Sequence, residues 1–118
     1  ILDYSKLASM NIQDITLRAA EAEQFLKALA NRNRLTILCE LHGGERAVAE
    51  LAGSVGLSQS ALSQHLARLR EDGLVATRRE GTSIFYALAH ARVSCLVSLL
   101  HDLYCNADCD PHTKETFT

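Results

Sequence analysis

A mainly α-helical domain carrying one small antiparallel β-hairpin is the fold class this sequence predicts, and three observations predict it. Apolar residues recur at helical spacing through most of residues 12–72 and again through 92–105. Leu74 to Arg79 and Ser83 to Leu88 alternate like two strands around Glu80-Gly81-Thr82. Residues 47–72 hold a short helix, a glycine turn and a second helix, and the hairpin of residues 74–88 follows directly as a wing. Together these describe a winged helix-turn-helix.

Each element has its own signal. From Ile12 to Ala30, Ile15, Ala19, Ala22, Leu26, Leu29 and Ala30 fall on one helical face. Asn31 is a good cap for a second helix running to His42, with Leu35, Ile37, Leu38 and Leu41 as its apolar positions, and Gly43-Gly44 ends it. A short third helix covers Val48 to Ser54. Gly56 then supplies a turn that calls for positive φ. Ser58 caps a fourth helix that runs to Asp72, with Ala61, Leu62, Leu66 and Leu69 as its stripe and Gly73 after it. A fifth helix over Arg92 to Tyr104 carries Val93, Leu96, Val97, Leu99, Leu100 and Leu103. Residues 106–118 are polar, contain Pro111, and read as a flexible tail.

The 118 residues fit one domain. A monomer of this size buries only about two thirds of the surface its unfolded chain exposes. Long apolar helix patterns at both ends (12–30 and 92–105) therefore point to a homodimer sharing one core. The formal net charge of -2 excludes a globally basic, nonspecific nucleic-acid binder, but Arg68, Arg70, Arg78 and Arg79 cluster in the central segment. No apolar run is long enough to span a bilayer. The first residues, ILDYSKLASM, lack the basic start and apolar core of an export signal. The expected setting is thus a reducing cytoplasm without membrane contact, where four cysteines serve packing, metal or redox chemistry rather than a disulfide framework.

On the fourth helix Leu62, Leu66 and Leu69 face inward, leaving Gln59, Ser60, Ser63, Gln64 and Arg68 on the other faces. Amides and hydroxyls near a helix N-terminus suit base edges and phosphates. Gln can bond two atoms of adenine at once, and the helix dipole favours the anion. Ser58, Gln59, Ser60, Ser63, Gln64, His65 and Arg68 are the expected contacts to double-stranded operator DNA from the helix. Arg78, Arg79 and Thr82 are those from the wing. Any one of these residues reads equally well as an ordinary solvated side chain; their order along the chain carries the DNA reading.

The runs ALANRNRLTILCEL and LSQSALSQHLARLREDGLVATRREGTSIFYAL resemble the ArsR family of bacterial winged-helix repressors, over nearly all of residues 20–105. The resemblance implies a dimer formed through the first and last helices, operator binding by the winged helix-turn-helix, and an inducer that weakens it. Cys39 within ILCEL and Cys105 within LHDLYC resemble a branch of that family whose members sense reactive sulfur species or oxidants through one cysteine at each place. They would then be the sensing pair. One thiolate attacks a sulfane sulfur or is oxidised, and the other resolves the product into a cross-link. Taken alone, Cys39 reads equally as core packing.

A second inducer class stays open: arsenite or zinc bound by Cys95, Cys105 and Cys109, since soft thiolates favour such ions. Against it, the second helix has no paired-cysteine motif and the fifth lacks the acidic and histidine pattern of zinc-sensing relatives. Cys95 most simply reads as helix packing. No catalytic base, phosphate loop or cofactor fingerprint appears, so neither an enzyme nor a cofactor is expected.

Overall fold

The computed structural model describes residues 12–105; the expected tail over 106–118, with Cys109, lies outside them. The described chain runs α1 (Ile12–Leu17), α2 (Ala19–Leu29), α3 (Arg32–His42), β1 (Arg46–Ala47), α4 (Val48–Val55), α5 (Gln59–Glu71), β2 (Val75–Glu80), β3 (Ser83–Leu88) and α6 (Ala91–Cys105). It is a mainly helical winged helix-turn-helix, as the sequence predicts.

Two expectations are corrected. The first helix, expected unbroken from 12 to 30, is interrupted at Arg18, which leaves helical geometry (φ -107°, ψ 10°). The periodicity carries across the break because Arg18 N–H still donates to the Ile15 carbonyl (3.2 Å) and the Arg18 carbonyl accepts from Ala22 N–H (3.0 Å). The wing is not a lone hairpin. Arg46 and Ala47 add a third strand, pairing antiparallel with Tyr86 and Phe85, so the sheet order is β1-β3-β2. Two residues are too few to show alternation.

Local chemistry sets the remaining boundaries. Asn31 Oδ1 accepts from Asn33 N–H (3.0 Å) and Arg34 N–H (3.1 Å), capping α3. Arg34 Nη1 donates to the Ala28 carbonyl (3.2 Å), closing the corner between α2 and α3. At α4, Glu50 accepts from Ala47 N–H (3.0 Å), one half of a capping box whose other half alanine cannot supply. Gly56 ends α4 at φ 72°, and Ser58 Oγ caps α5 by accepting from Ala61 N–H (3.1 Å). β2 runs one residue further than expected into the tip, while β3 keeps its expected bounds, so that Glu80 pairs with Ser83 and Gly81-Thr82 make the turn, with Gly81 at φ 64°.

The core is built where α3, α4, α5, β2 and α6 meet. Ile37, Leu38, Leu51, Leu62, Leu66, Leu69 and Val93 are fully buried, and Leu29, Leu41, Leu74, Val75 and Val97 nearly so. The expected apolar faces of the terminal helices are only partly used. Ile15 stays 52% exposed, Leu26 56%, and Leu99 and Leu103 42% each, so these side chains lack cover within one chain. Ile15, Ala19, Ala22, Leu26 and Ala30 line an open apolar groove along α1 and α2.

Candidate DNA interface and thiol pair

The buried stripe of Leu62, Leu66 and Leu69 anchors α5 against the core and fixes its opposite face outward. Gln59, Ser60, Ser63, Gln64 and Arg68 are exposed on that helix, and His65 is half-buried. Ser58 is exposed but spends its hydroxyl on the cap. Arg68 stands about 15 Å along the axis from Ser58, at 1.5 Å per residue. Its Nε lies 3.3 Å from Asp72 Oδ2, so it belongs to the far end of the helix rather than to the Gln/Ser cluster.

The two wing arginines differ sharply. Arg78 donates through Nε to Glu45 Oε2 (3.2 Å) and through Nη2 to Glu45 Oε1 (2.5 Å), while Nη1 reaches Glu80 Oε2 (2.6 Å). Its guanidinium carbon also sits 4.8 Å from the Phe85 ring centroid. The bonds from Arg78 lower the Glu45 carboxyl below its usual range, and the same carboxylates raise Arg78. Arg79, exposed next to it, has no ion pair among the described residues. Thr82 is exposed in the turn. Glu45 gave no signal in the sequence, being 33 positions from Arg78 and outside both the helix and strand patterns.

The cysteines also correct the packing readings. Cys39, Cys95 and Cys105 are all exposed free thiols in the single chain, so neither Cys39 nor Cys95 is a core residue. Cys39 leaves the core because Ile37, Leu38 and Leu41 take the buried face of α3. The Cys39 thiol is raised above its usual 9.0, first by partial desolvation on the helix surface, then by the neighbouring Cys105 and by Glu40. Helices α3 and α6 pack together, which brings the two thiols into each other's field. Cys95 lines a surface groove with His42, Ser94, Leu99 and Asp102, and Ser94 Oγ lies 3.3 Å from His42 Nδ1. Among the described residues, no three His, Cys, Asp or Glu side chains converge to hold a metal ion. Nor is any described helix long and apolar enough to cross a membrane.

A helix anchored by leucines, turned outward with a Gln/Ser face and followed by a wing that carries Arg78 and Arg79, defines a winged helix-turn-helix DNA-binding regulator. The pattern of the bacterial regulatory protein, arsR family, matches residues 31–77. The transcriptional activator HlyU of Vibrio cholerae is 50% identical over 107 residues, covering 91% of this chain and 99% of the relative. The structure of its reduced form superposes with a TM-score of 0.74 at 51% identity, over 80% of this chain and 99% of that one. The transcriptional repressor BigR of Xylella fastidiosa gives 0.77 at 42% identity, covering 81% and 98%. A homodimeric winged helix-turn-helix DNA-binding domain from Mycobacterium bovis gives 0.69 at 33% identity, covering 92% and 99%. The chain belongs to the arsR family and is a transcriptional regulator.

Proposed function

We propose that this chain is a homodimeric, sequence-specific repressor whose operator affinity falls when sulfur links Cys39 to Cys105. The observation that carries the reading is the Cys39–Cys105 pair itself: two exposed thiols on packed helices, close enough for the charge of one to act on the other. Gln59, Ser60, Ser63, Gln64 and His65 enter or flank the major groove, with Ser58 positioning the helix start. Arg68, Arg79 and Thr82 approach the backbone, and the wing, including Arg78, follows it. The uncovered faces of α1, α2 and α6 form the dimer core, in keeping with the homodimeric relative.

The chemistry balances without a cofactor. Cys105 thiolate takes the outer sulfur of an organic persulfide, forming Cys105–S–SH and releasing the organic thiolate. Attack by Cys39 on the Cys105 sulfur gives a disulfide and releases hydrosulfide. Where both cysteines carry an extra sulfur, condensation gives a trisulfide and hydrogen sulfide. Either bridge staples α3 to α6. Because α3 leads through Gly43-Gly44 into β1 of the wing sheet, the staple changes how the two reading heads are held. A coupling of about 1–3 kcal/mol between sites is typical of such regulation.

The test is operator binding by fluorescence anisotropy before and after organic persulfide, with Cys39→Ser and Cys105→Ser beside the parent. Loss of affinity in the parent and indifference in both variants supports the assigned pair. Equal loss in all three proteins removes it.

A further inference from the structure

Arg78 is the one wing cation whose guanidinium is already occupied by carboxylates. Glu45 takes its Nε and Nη2 together, the two-pronged geometry that arginine also offers to phosphate. Glu80 takes Nη1, and Phe85 covers one flat face. Two carboxylates share this one guanidinium, so it is not free for a DNA backbone that approaches it. Yet the side chains remain at the surface, 49% exposed for Arg78 and 39% for Glu45. Exposed ion pairs are weak and readily exchanged. Glu45 also lies outside the hairpin, just before β1, so the bond ties the wing to the segment leaving α3.

We propose that Glu45 is an internal stand-in for a DNA phosphate at Arg78: a self-restraining ion pair that bound DNA displaces, and which lowers the resting affinity of the wing. This rests on the DNA-binding reading above. When DNA arrives, Arg78 exchanges the Glu45 carboxylate for a backbone phosphate. The released carboxylate swings into solvent, and Glu80 keeps the arginine aligned along β2.

The experiment measures binding to a labelled mixed-sequence duplex across a salt series, since phosphate contacts carry no sequence information. The proteins are the parent, Glu45→Gln, Arg78→Ala and the double variant, each checked for folding by circular dichroism. Glu45→Gln keeps the side-chain shape and frees Arg78. It is expected to tighten binding by up to about fivefold, the worth of an exposed ion pair. The slope of log affinity against log salt is expected to match the parent's, because bound DNA displaces Glu45 in both and the phosphate contacts are equal in number, whereas Arg78→Ala lowers it by about 0.9. In the Arg78→Ala background the same change gives little or no gain in affinity, which separates the exchange from a general gain in positive charge. Unchanged or weaker binding by Glu45→Gln, an equal gain in the Arg78→Ala background, or a parent-like slope in Arg78→Ala overturns the restraint while leaving DNA binding intact. A parent without salt-dependent binding overturns both.

Discussion

Cys105 lies near enough to Cys39 that its charge raises the Cys39 thiol, adding to the partial desolvation that already holds that group above 9.0. The effect has a direction. Cys39 is protonated further up the pH scale than a free cysteine and is the slower nucleophile at neutral pH. In the proposed mechanism Cys39 is then the resolving thiol and Cys105 the attacking one. Alkylation by iodoacetamide, followed by peptide mass spectrometry from pH 7 upward, is expected to modify Cys105 first, with the Cys39 profile centred above 9.0. Cys105→Ser shifts the Cys39 profile downward. Faster labelling of Cys39 at neutral pH contradicts this order.

Glu45 gives a second pH signature. Its folded-state value is depressed by the bonds from Arg78, so the pair contributes above the usual 4.5 and is lost as pH falls through the lower, folded value. An NMR titration of the Glu45 carboxyl should find its midpoint below 4.5 in the parent and close to 4.5 in Arg78→Ala. Identical midpoints dismiss the pair.

The reading face makes separable predictions for base and backbone contacts. Gln64→Ala is expected to relax preference at one operator position, by about 1–3 kcal/mol of discrimination. Arg79→Ala should weaken binding to all sequences alike and reduce the salt slope by about 0.9. Competition anisotropy with single-base operator variants distinguishes these two patterns.

Stability depends on the residues that aim α5. Leu66→Ala removes a fully buried side chain and should cost about 2–5 kcal/mol in urea unfolding. Ser58→Ala removes the acceptor for Ala61 N–H and should cost about 1 kcal/mol.

The uncovered helix faces predict assembly. Leu26→Glu places a charge on the open groove of α1 and α2. Sedimentation should then show a monomer that keeps its helical circular dichroism and binds operator poorly. A parent that sediments as a monomer excludes the shared core.

Much of this fold was legible because helix period, caps and glycines act locally. Asn31, Gly56 and Ser58 mark their boundaries through side-chain or backbone chemistry that a single residue carries. The leucines of α5 declare their face by spacing alone. What stayed hidden depends on distant partners. The break at Arg18 leaves the apolar period intact, and β1 becomes a strand only because β3 lies beside it. Cys39 reads as core until Ile37, Leu38 and Leu41 are seen to fill the buried face. The Glu45–Arg78 pair joins segments 33 positions apart, which no periodicity reports. The family resemblance marked the thiol pair; only the packing of α3 on α6 brings the sulfur atoms into a common field.

The most direct measurement compares one preparation in two states. Protein whose peptide mass map shows Cys39 bridged to Cys105 is titrated against operator DNA, reduced with dithiothreitol, and titrated again. The bridged form is expected to bind at least about fivefold more weakly, the lower end of ordinary allosteric coupling, and to recover fully on reduction. Equal affinity in the two states would contradict the sulfur-linked control of DNA binding.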